Sequence, residues 1–470
     1  MGGQRYPKAG GACEGRVKYR GETLHFTDIG GTDMGLTAVN WPAEMGTSKL
    51  FSVRADGVGA PVLVAERSDV AMWNGQGGET IAFDVEAGCE LTGLVAHPLG
   101  KTTVRVDGKR ARVELQATGG MGRVVLECSE KRLLTLLVEG ERVAAPVGAR
   151  VFQAGKLHEV GLLEVSASET VWIEPGAVVR GGLRIKGDGV TVGGGGVLDA
   201  GGLRATGHGR SVIADGCRRL TLGAGGGLIV INPPTWQVVL GACEDVEVRD
   251  LKLLGKGLGT DGVDIVGCKR VRVSDCLIIC GDDCFVVKAF GSTEGRNAEL
   301  GDWARDVEDV TFERSIVGNF LGGSALEIGH ELPVGHVRNV VFRDIDVMFV
   351  HNHGSVYGIH HADSATIENV RFEKIRVAHC YDKLVDIRVI KSMWSKGEAR
   401  GRIRGVVLED CDWTTSIYNA GYTTSQIGGF DAEHLVEDVV FRNFRVDGKA
   451  IESLDEIELF TRNVSGVRVG

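Results

Sequence analysis

The sequence predicts an all-β protein: a parallel β-helix that follows a small antiparallel β-sandwich. Two observations support this prediction. From about residue 211 onward a phrase recurs, made of a polar residue, an apolar run that starts with Val or Leu, an acidic residue or Asn, and a second apolar run. Glycine accounts for 70 of 470 residues, about twice its usual share and without a collagen-like period. Such glycine usage indicates tight bends and close approaches of the backbone.

The recurring phrase has the spacing of a solenoid. Its V-x-V and V-x-F patterns have period 2, are rich in β-branched residues and contain no long amphipathic run, which favours short strands over helices. A period of roughly 25–35 residues is typical of stacked repeats, and the uneven spacing predicts loops of variable length at the turns. The first apolar residues of successive core pairs are Leu220, Val246, Val271, Val310, Val340, Val370, Val406, Val439 and Val464.

The repeat extends back, less clearly, to about residue 150, so we assign residues 149–470 to a β-helix domain. Residues 1–148 lack the phrase and contain alternating segments such as TIAFDVE and KTTVRVD, divided by Gly and Asp. That pattern is typical of an antiparallel β-sandwich. We expect this domain to cap the open end of the solenoid, where strand edges are unpaired, or to extend a substrate cleft.

Charge and hydropathy exclude several partners. The net charge of −10, with no basic stripe, argues against nucleic acid and anionic membrane surfaces. No run of apolar residues is long enough to predict a membrane span. The start of the chain, MGGQRYPKAGG, does not have the pattern of a signal peptide. We therefore expect a cytoplasmic protein, or a secreted or periplasmic one whose presequence was removed; compartment and oligomeric state stay open.

The cysteines invite a metal hypothesis, which the spacing does not support. There are eleven, and Cys276, Cys280 and Cys284 stand four residues apart in one segment. No matching set of His or Cys residues completes a tetrahedral site nearby. We expect no metal and no other cofactor, and we interpret the cysteines as small apolar residues stacked inside the repeats.

The segments Thr260-Asp261-Gly262-Val263-Asp264 and Gly281-Asp282-Asp283-Cys284 carry a cluster of acids about one coil apart. If Asp261 and Asp282 occupy the same corner of successive coils, they lie side by side. Adjacent like charges repel and raise one pKa, a cost that a chain accepts where chemistry needs it. Cleavage of a bond between sugars needs one carboxylic acid to protonate the leaving oxygen and a carboxylate to activate water. The alternative is an Asp-rich turn ladder, and for Asp264 we expect a hydrogen bond to the turn.

Four ordered motifs in this region resemble the polygalacturonases, glycoside hydrolase family 28, and the related dextranases and isopullulanases of family 49. They are N-P-P-T-W (232–236), C-E-D-V-E-V-R-D-L-K-L, T-D-G-V-D-I and C-L-I-I-C-G-D-D-C-F-V-V-K. The resemblance covers residues 150–440 in pattern and about 232–290 in detail. It implies a right-handed parallel β-helix and inverting hydrolysis by single displacement. It also implies that Asp282 is the general acid, that Asp261 and Asp283 activate water, and that Lys288 lies near the site.

Two departures from the family pattern bear on the substrate. Where polygalacturonases have G-H-G-x-S-x-G, this chain has Gly323 to His330, with Ser324 at the histidine position. The R-I-K phrase that grips the galacturonate carboxylate is replaced by Ser355 to His361. Without that Arg and Lys, a uronate has no bidentate partner. We therefore expect a neutral or differently charged glycan, such as a dextran-like or another plant or microbial glycan, and not plain polygalacturonate.

Polar and aromatic residues in the same coils are candidate substrate contacts. Hydroxyl-rich ligands need paired donors and acceptors, and aromatic rings stack on sugar rings. Each candidate has a plain structural alternative as a core, turn or solvated residue. The predicted substrate-binding set is Lys288, Glu327, His330, His360, His361, Arg388 and Trp236, with Asp363, Asp386 and Trp394 as further polar or stacking candidates.

The leading functional hypothesis is an inverting glycoside hydrolase that acts on a polysaccharide or oligosaccharide. One alternative is a β-helix polysaccharide lyase, which needs calcium held by carboxylates and an Arg or Lys base. Another is a non-catalytic carbohydrate-binding β-helix, which has no need of three clustered acids. A fold alone does not separate these functions.

Overall fold

The computed structural model describes residues 35–128, 133–205, 208–291, 299–351, 353–415 and 422–470. It confirms the predicted fold class: a right-handed parallel β-helix follows two small β-sheets. Within these ranges the helical segments are short 3₁₀ turns, and no helix is long and apolar enough to cross a membrane. The 3₁₀ turns are Ala43–Met45, Leu99–Lys101, Ala200–Ala205 and Leu454–Ile457.

The N-terminal part is a sandwich of two five-stranded sheets. All strand pairs are antiparallel except Ser68–Asn74 with Leu133–Glu139, which run parallel. In spatial order, the first sheet contains Thr37–Ala38, Ser68–Asn74, Leu133–Glu139, Gly122–Glu127 and Val95–His97. The second contains Val58–Ala60, Phe51–Ala55, Thr80–Ala87, Arg110–Gln116 and Thr102–Asp107.

The parallel β-helix has three faces, and each coil contributes one strand to each face in the order face 1, face 2, face 3. Its first strand begins at Arg150, whereas the last sandwich strand ends at Glu139. The domain boundary at 148/149 remains a prediction that fits between these two positions.

Three long strands bend from face 1 into face 2: Val307–Asn319, His336–Val350 and Thr366–Val377. The other strands of face 1 are Arg150–Phe152, Thr170–Ile173, Thr191–Gly193, Thr221–Ala224, Glu244–Arg249, Lys269–Ser274, Arg402–Glu409, Val436–Arg442, Val464–Ser465 and Arg468–Val469. Those of face 2 are Val197–Asp199, Leu228–Ile231, Leu251–Leu254, Leu277–Cys280, Asp412–Trp413 and Arg445–Val446, the last of which also pairs with Lys449–Ala450.

Face 3 carries the candidate site. Two strands, Leu157–Val165 and Val178–Lys186, bend from face 2 into face 3. The remaining strands of face 3 are Val212–Asp215, Val238–Gly241, Val263–Val266, Phe285–Lys288, Leu326–His330, Ser355–His361, Lys383–Val389, Thr424–Gly428 and Leu459–Arg462.

The recurring sequence phrase has a conformational cause. Its two polar positions adopt left-handed backbone angles, for example Asn339 (φ 59) inside face 1 and Asp344 (φ 53) at the bend into face 2. Asn and Asp tolerate this region better than most residues. The Asn side chains also form a ladder, because Asn369 Nδ2 donates to Asn339 Oδ1 and Asn339 Nδ2 donates to Asp309 Oδ1, each at 2.7 Å.

The interior of the solenoid is filled by like residues stacked on like. Phe312, Phe342 and Phe372 lie one per coil, with 5.0 Å between successive ring centroids and nearly parallel planes. Nine of the ten described cysteines are buried and none of the ten is in a disulfide. Among the described residues no group of three or more His, Cys, Asp and Glu side chains is arranged to hold a metal ion.

The sandwich packs along face 2. Its residues Val39, Met72 and Leu137 share one apolar cluster with the outward side chains of Ile229 and Phe349 of the solenoid. Capping of the open end was one expected use of this domain, but its described contacts lie along the flank. This contact zone covers the coils from Val178 to Phe349, which include the coils that carry the acids.

A buried ion pair joins the sandwich to face 2. Lys252 Nζ, with no exposed surface, lies 3.0 Å from Glu139 of the sandwich and 2.7 Å from Asp250. Apart from Lys252, the apolar strands Leu228–Ile231, Leu251–Leu254 and Leu277–Cys280 of face 2 are consistent with this cover, because a strand buried on both sides needs no polar alternation.

Candidate active site

The three candidate catalytic acids lie in the turn from face 2 to face 3 of two successive coils. Asp261 precedes the strand Val263–Val266, and Asp282 and Asp283 precede the next strand on the same face, Phe285–Lys288. Gly262 N donates to Asp283 O at 2.8 Å, which fixes the two turns against each other. The coil spacing read from the sequence therefore does bring these side chains together, whereas their catalytic roles remain predictions.

Asp282 and Asp283 direct their carboxylates to the same place although they are neighbours in sequence. A methyl group on Gly323, in the following coil, would lie 2.4 Å from Asp282 Oδ1 and 2.5 Å from Asp283 Oδ1. In a regular strand the two side chains would point to opposite faces. The bend in the turn therefore turns both toward the glycine.

Asp282 is the most accessible of the three acids. Its Oδ2 accepts a hydrogen bond from Gly259 N at 2.8 Å, and the residue is half-buried. Burial, and then the nearby charge of Asp261, raise the pKa of Asp282 to about 6. A carboxyl group with such a pKa holds a proton in mildly acidic solution, as a general acid must.

Asp283 lies deeper, with 8% of its surface exposed. Ser324 N donates to Asp283 Oδ1 at 2.6 Å, so the residue at the family's histidine position holds this acid through its backbone. Burial, and then the charges of Asp282 and Glu327, raise the pKa of Asp283 well above its usual value. Two such neighbours titrate as a pair.

Lys288 is the buried counterion of the cluster. Its Nζ lies 2.8 Å from Asp261 Oδ2 and 2.7 Å from Asp264 Oδ1, and the residue is 4% exposed. Burial lowers the pKa of Lys288, but Asp261 and Asp264 together raise it well above its usual value. The sequence predicted Lys288 as a substrate contact, and the structure instead places its charge on two carboxylates beneath the surface. Asp264, predicted to bond its own turn, bonds this lysine.

Trp236 lies beside this ion pair. Lys288 Nζ is 3.9 Å and Arg210 Cζ is 4.9 Å from the centre of a ring of the indole, and Phe290 meets the indole edge-on. The side chain is half-buried, and Gln237 N, the next residue, donates to Asp261 O at 2.9 Å. Trp236 thus stands one coil before Asp261, next to the acids, as a stacking residue for a sugar requires.

The coils after the acids carry a chain of charged side chains on the outer surface of face 3. Glu327 contacts His360, and His360 contacts Asp386, which in turn contacts Arg388. The neutral ring of His330 stacks on His360 at 5.0 Å with 7° between the planes. Four of the predicted substrate-binding residues therefore lie together here.

His361 does not join them. It is fully buried, and its ring Nε2 is 2.7 Å from Ala365 O. Successive side chains of a strand point to opposite faces, so His360 and His361 cannot both face the cleft. Asp363 has a structural role as well, since its carboxylate accepts hydrogen bonds from the backbone N–H groups of Leu332 (2.9 Å) and Gly397 (3.0 Å).

Several residues that shape the acid turn were not singled out in the sequence. Asn319 Nδ2 donates to the carbonyl oxygens of Asp282 and Gly322. Thr260 Oγ1 accepts from Gly281 N at 3.0 Å and donates to Gly257 O at 2.7 Å. The one available signal was position, because each of these residues adjoins a turn that carries an acid or its neighbour.

Comparison with known proteins places similar sequences over the coils that carry the candidate site. Residues 178–389, somewhat under half of the chain, match the sequence profile described as Glycosyl hydrolases family 28. A polygalacturonase of Chamaecyparis obtusa is 37% identical over 62 residues, 13% of this chain and 12% of that protein. A probable polygalacturonase of Arabidopsis thaliana is 27% identical over 114 residues, 22% of this chain and 24% of that protein. These matches therefore span less than a quarter of the relatives' length.

Among solved structures, Dex49A from Penicillium minioluteum has a TM-score of 0.59 at 11% identity, over 93% of this chain and 97% of that chain. At this identity the likeness concerns the fold alone, and it extends over the sandwich as well as the solenoid. The resemblance to the glycoside hydrolases of family 28 that the motifs predicted is confirmed by the family match.

Proposed function

We propose that this protein is an inverting glycoside hydrolase that acts on a polysaccharide or oligosaccharide other than plain polygalacturonate. The observation that carries the proposal is the convergence of Asp282 and Asp283 beside Asp261, in the corresponding turns of two successive coils, with Lys288 as the buried counterion. The match of residues 178–389 to a glycoside hydrolase family supports the same reaction class.

In this mechanism Asp282 is the general acid. It is the acid with the most exposed surface and a pKa raised to about 6, so it can reach a glycosidic oxygen while it still carries a proton. The bond between the anomeric carbon and that oxygen breaks, and the proton of Asp282 passes to the leaving sugar. A general acid of this kind contributes about 10²–10⁴-fold to the rate.

Asp261 and Asp283 act on the water. They orient a water molecule on the opposite side of the sugar, and its proton passes to this carboxylate pair as its oxygen bonds to the anomeric carbon. Lys288 keeps its place under Asp261 throughout, so we assign it a positioning role and no contact with the substrate.

A screen of neutral and acidic polysaccharides with a reducing-sugar readout tests the proposal. Wild type is compared with Asp282→Asn and with Asp188→Asn, a half-buried acid that pairs with Arg219 and accepts a hydrogen bond from Arg218 N. We expect Asp282→Asn to lose at least about 10²-fold in turnover on the active glycan while it still binds it, and Asp188→Asn to keep full activity.

Other outcomes point to other functions. Product absorbance from an unsaturated sugar, abolished by a chelator, would indicate a lyase. Ligand binding with no difference between wild type and Asp282→Asn on any glycan would indicate a non-catalytic carbohydrate-binding protein. The stereochemistry is checked by proton NMR of the first product, where the anomeric configuration must be opposite to that of the bond cleaved.

A further inference from the structure

Glu327 is a buried carboxylate one coil after the acid turn. It is 1% exposed, and it accepts hydrogen bonds from His360 N at 3.1 Å and from His360 Nδ1 at 2.9 Å. Its charge also contributes to the raised pKa of Asp283, which places it within electrostatic reach of the candidate catalytic acids.

His360 is held from both sides. While Nδ1 faces Glu327, its Nε2 lies 3.0 Å from Asp386 Oδ2. Asp386 Oδ2 also accepts hydrogen bonds from Arg388 Nη2 at 3.0 Å and from Gln426 Nε2 at 3.2 Å. Burial opposes the positive charge, yet Glu327 and Asp386 raise the pKa of His360 to about 10. The imidazolium is therefore permanent at neutral pH, and both of its N–H groups are engaged inside the protein.

Gly358 provides the space for Glu327. A methyl group at this position would lie 2.0 Å from Glu327 Oε2 and 2.8 Å from Ser324 Oγ. No side chain at position 358 is compatible with Glu327 where it stands. The carboxylate of Glu327 therefore fills the space, on the outward side of face 3, that a side chain at position 358 would otherwise occupy.

The charged side chains described on this part of face 3 are paired with one another, so they offer little net positive charge to an anionic ligand. Glu327 and Asp386 balance His360 and Arg388, and Lys288 is balanced by Asp261 and Asp264. A substrate carboxylate would need a charged hydrogen-bond donor to offset its desolvation.

We propose that Glu327 determines substrate specificity: by occupying His360 from within, it makes the subsite beside the acids select an uncharged sugar and reject a uronate. The inference rests on the proposed function, which it deepens by naming the substrate class. It predicts that removal of this one negative charge frees His360 to bind a substrate carboxylate.

The test measures binding without turnover, in the Asp282→Asn background. The probes are trigalacturonic acid and its fully methyl-esterified form, which differ in charge and little in shape, and isothermal titration calorimetry gives the affinity for each. We expect Glu327→Gln to tighten binding of the acid, relative to the ester, by at least about tenfold. Glu308→Gln, which alters an ion-paired carboxylate on face 1, is the matched control and should leave the ratio unchanged.

Wild-type-like preference in Glu327→Gln, or no binding of the acid to either variant, overturns the proposal. NMR titration of the His360 ring gives a second readout that needs no ligand. In Glu327→Gln the pKa of His360 should fall from its value of about 10, while Asp386 still holds Nε2 and keeps the ring protonated at the pH of the calorimetry. An unchanged pKa would show that Glu327 does not hold the imidazolium. Loss of the proposed hydrolysis would instead appear in the reducing-sugar screen, so the two failures are distinguishable.

Discussion

Lys288 illustrates, at the scale of single residues, how a buried cation can serve a site that it does not expose to substrate. Three of the four side chains nearest the reaction centre are acids, and burial alone would drive them to the neutral form. Lys288 forms ion pairs with Asp261 and Asp264 and opposes the effect of burial on Asp264, although burial still raises the pKa of Asp264, as it does those of Asp282 and Asp283.

Replacement of Lys288 by Met should therefore damage both stability and activity. The change leaves Asp261 and Asp264 buried without a counterion, which we expect to cost about 3–5 kcal/mol in the free energy of unfolding. Chemical denaturation measures this, with Lys269→Met as the control, since that lysine forms a half-exposed ion pair on face 1. Equal unfolding midpoints for the two variants would contradict the assigned role. Asp264→Asn in the same chain should recover part of the loss.

Asp282 should be a residue at which activity and stability conflict. Its folded-state pKa is raised from 3.8 to about 6, so its contribution to stability is full below 3.8 and is lost as pH rises through about 6. Asp282→Asn stays neutral, so we expect its melting temperature to exceed that of wild type at about pH 8 and to match it near pH 4. Thermal unfolding at both pH values decides this, and a lower melting temperature at pH 8 would contradict it.

The same pKa sets the alkaline side of the activity profile. Because Asp282 must carry a proton to act as the acid, the rate of hydrolysis should fall as pH rises through about 6. Steady-state kinetics against pH on the active glycan measure this limb. A rate that stays constant up to about pH 9 would show that Asp282 is not the acid.

The sequence could identify the acids but not their partners. Asp261, Asp282 and Asp283 stand out because the coil period places them in successive turns. The predicted substrate contacts of Lys288 and His361 stay predictions, and the structure buries both side chains, which the sequence does not show because the direction of a side chain depends on where its strand begins. Glu327 was predicted as a substrate contact in the coil after the acids, but its ion pair with His360 joins residues of different coils and leaves no local pattern.

At the scale of the element, the turn from face 2 to face 3 depends on Gly323. Its φ of 65° and the closeness of Asp282 and Asp283 leave no room for a side chain. We expect Gly323→Ala to displace the two carboxylates and to lower activity by about 10²-fold or more. Gly322→Ala is the matched control, because the added methyl group would meet only the end of the Leu258 side chain at 2.9 Å. Similar activity of both variants would show that the turn is not constrained here.

The strands themselves were predictable because the residues that mark their bends are set by local backbone conformation. Each coil repeats a polar residue in the left-handed conformation, such as Asn369 and Lys374 in one coil, so the pattern survives in the sequence wherever the backbone needs it. The lengths of the turns follow no such rule, which is why the boundaries of face 2 and face 3 could not be read from the repeat.

At the scale of the whole molecule, the flank position of the sandwich makes several coils one unit. Solenoid coils ordinarily couple only to their neighbours. Here the sandwich contacts coils from Val178 to Phe349 at once. The face 2 strands LIVI, LKLL and LIIC are apolar except for Lys252, a pattern typical of strands buried on both sides, but the pattern alone does not name what covers them.

We expect this unit to open cooperatively. In hydrogen exchange, amides of Leu228–Ile231 and Leu277–Cys280 should share one opening free energy with the sandwich strand Leu133–Glu139. Lys252→Met, which removes the buried link to Glu139, should lower protection in all three, whereas Lys186→Met, at an exposed lysine on face 3, should not. Loss of protection confined to Leu251–Leu254 would contradict the coupling.

The packing of the sandwich along face 2 also affects which part of the protein resists proteolysis. When each coil of a solenoid contacts only its neighbours, a protease can remove coils one after another from an end that has unfolded. Each cleavage then exposes the next coil. We expect proteolysis that starts at the C-terminal coils to stop at the first coil whose face 2 packs against the sandwich. The coils that carry Asp261 and Asp282 lie inside the span that the sandwich covers, so we expect the candidate active site to be shielded from such degradation.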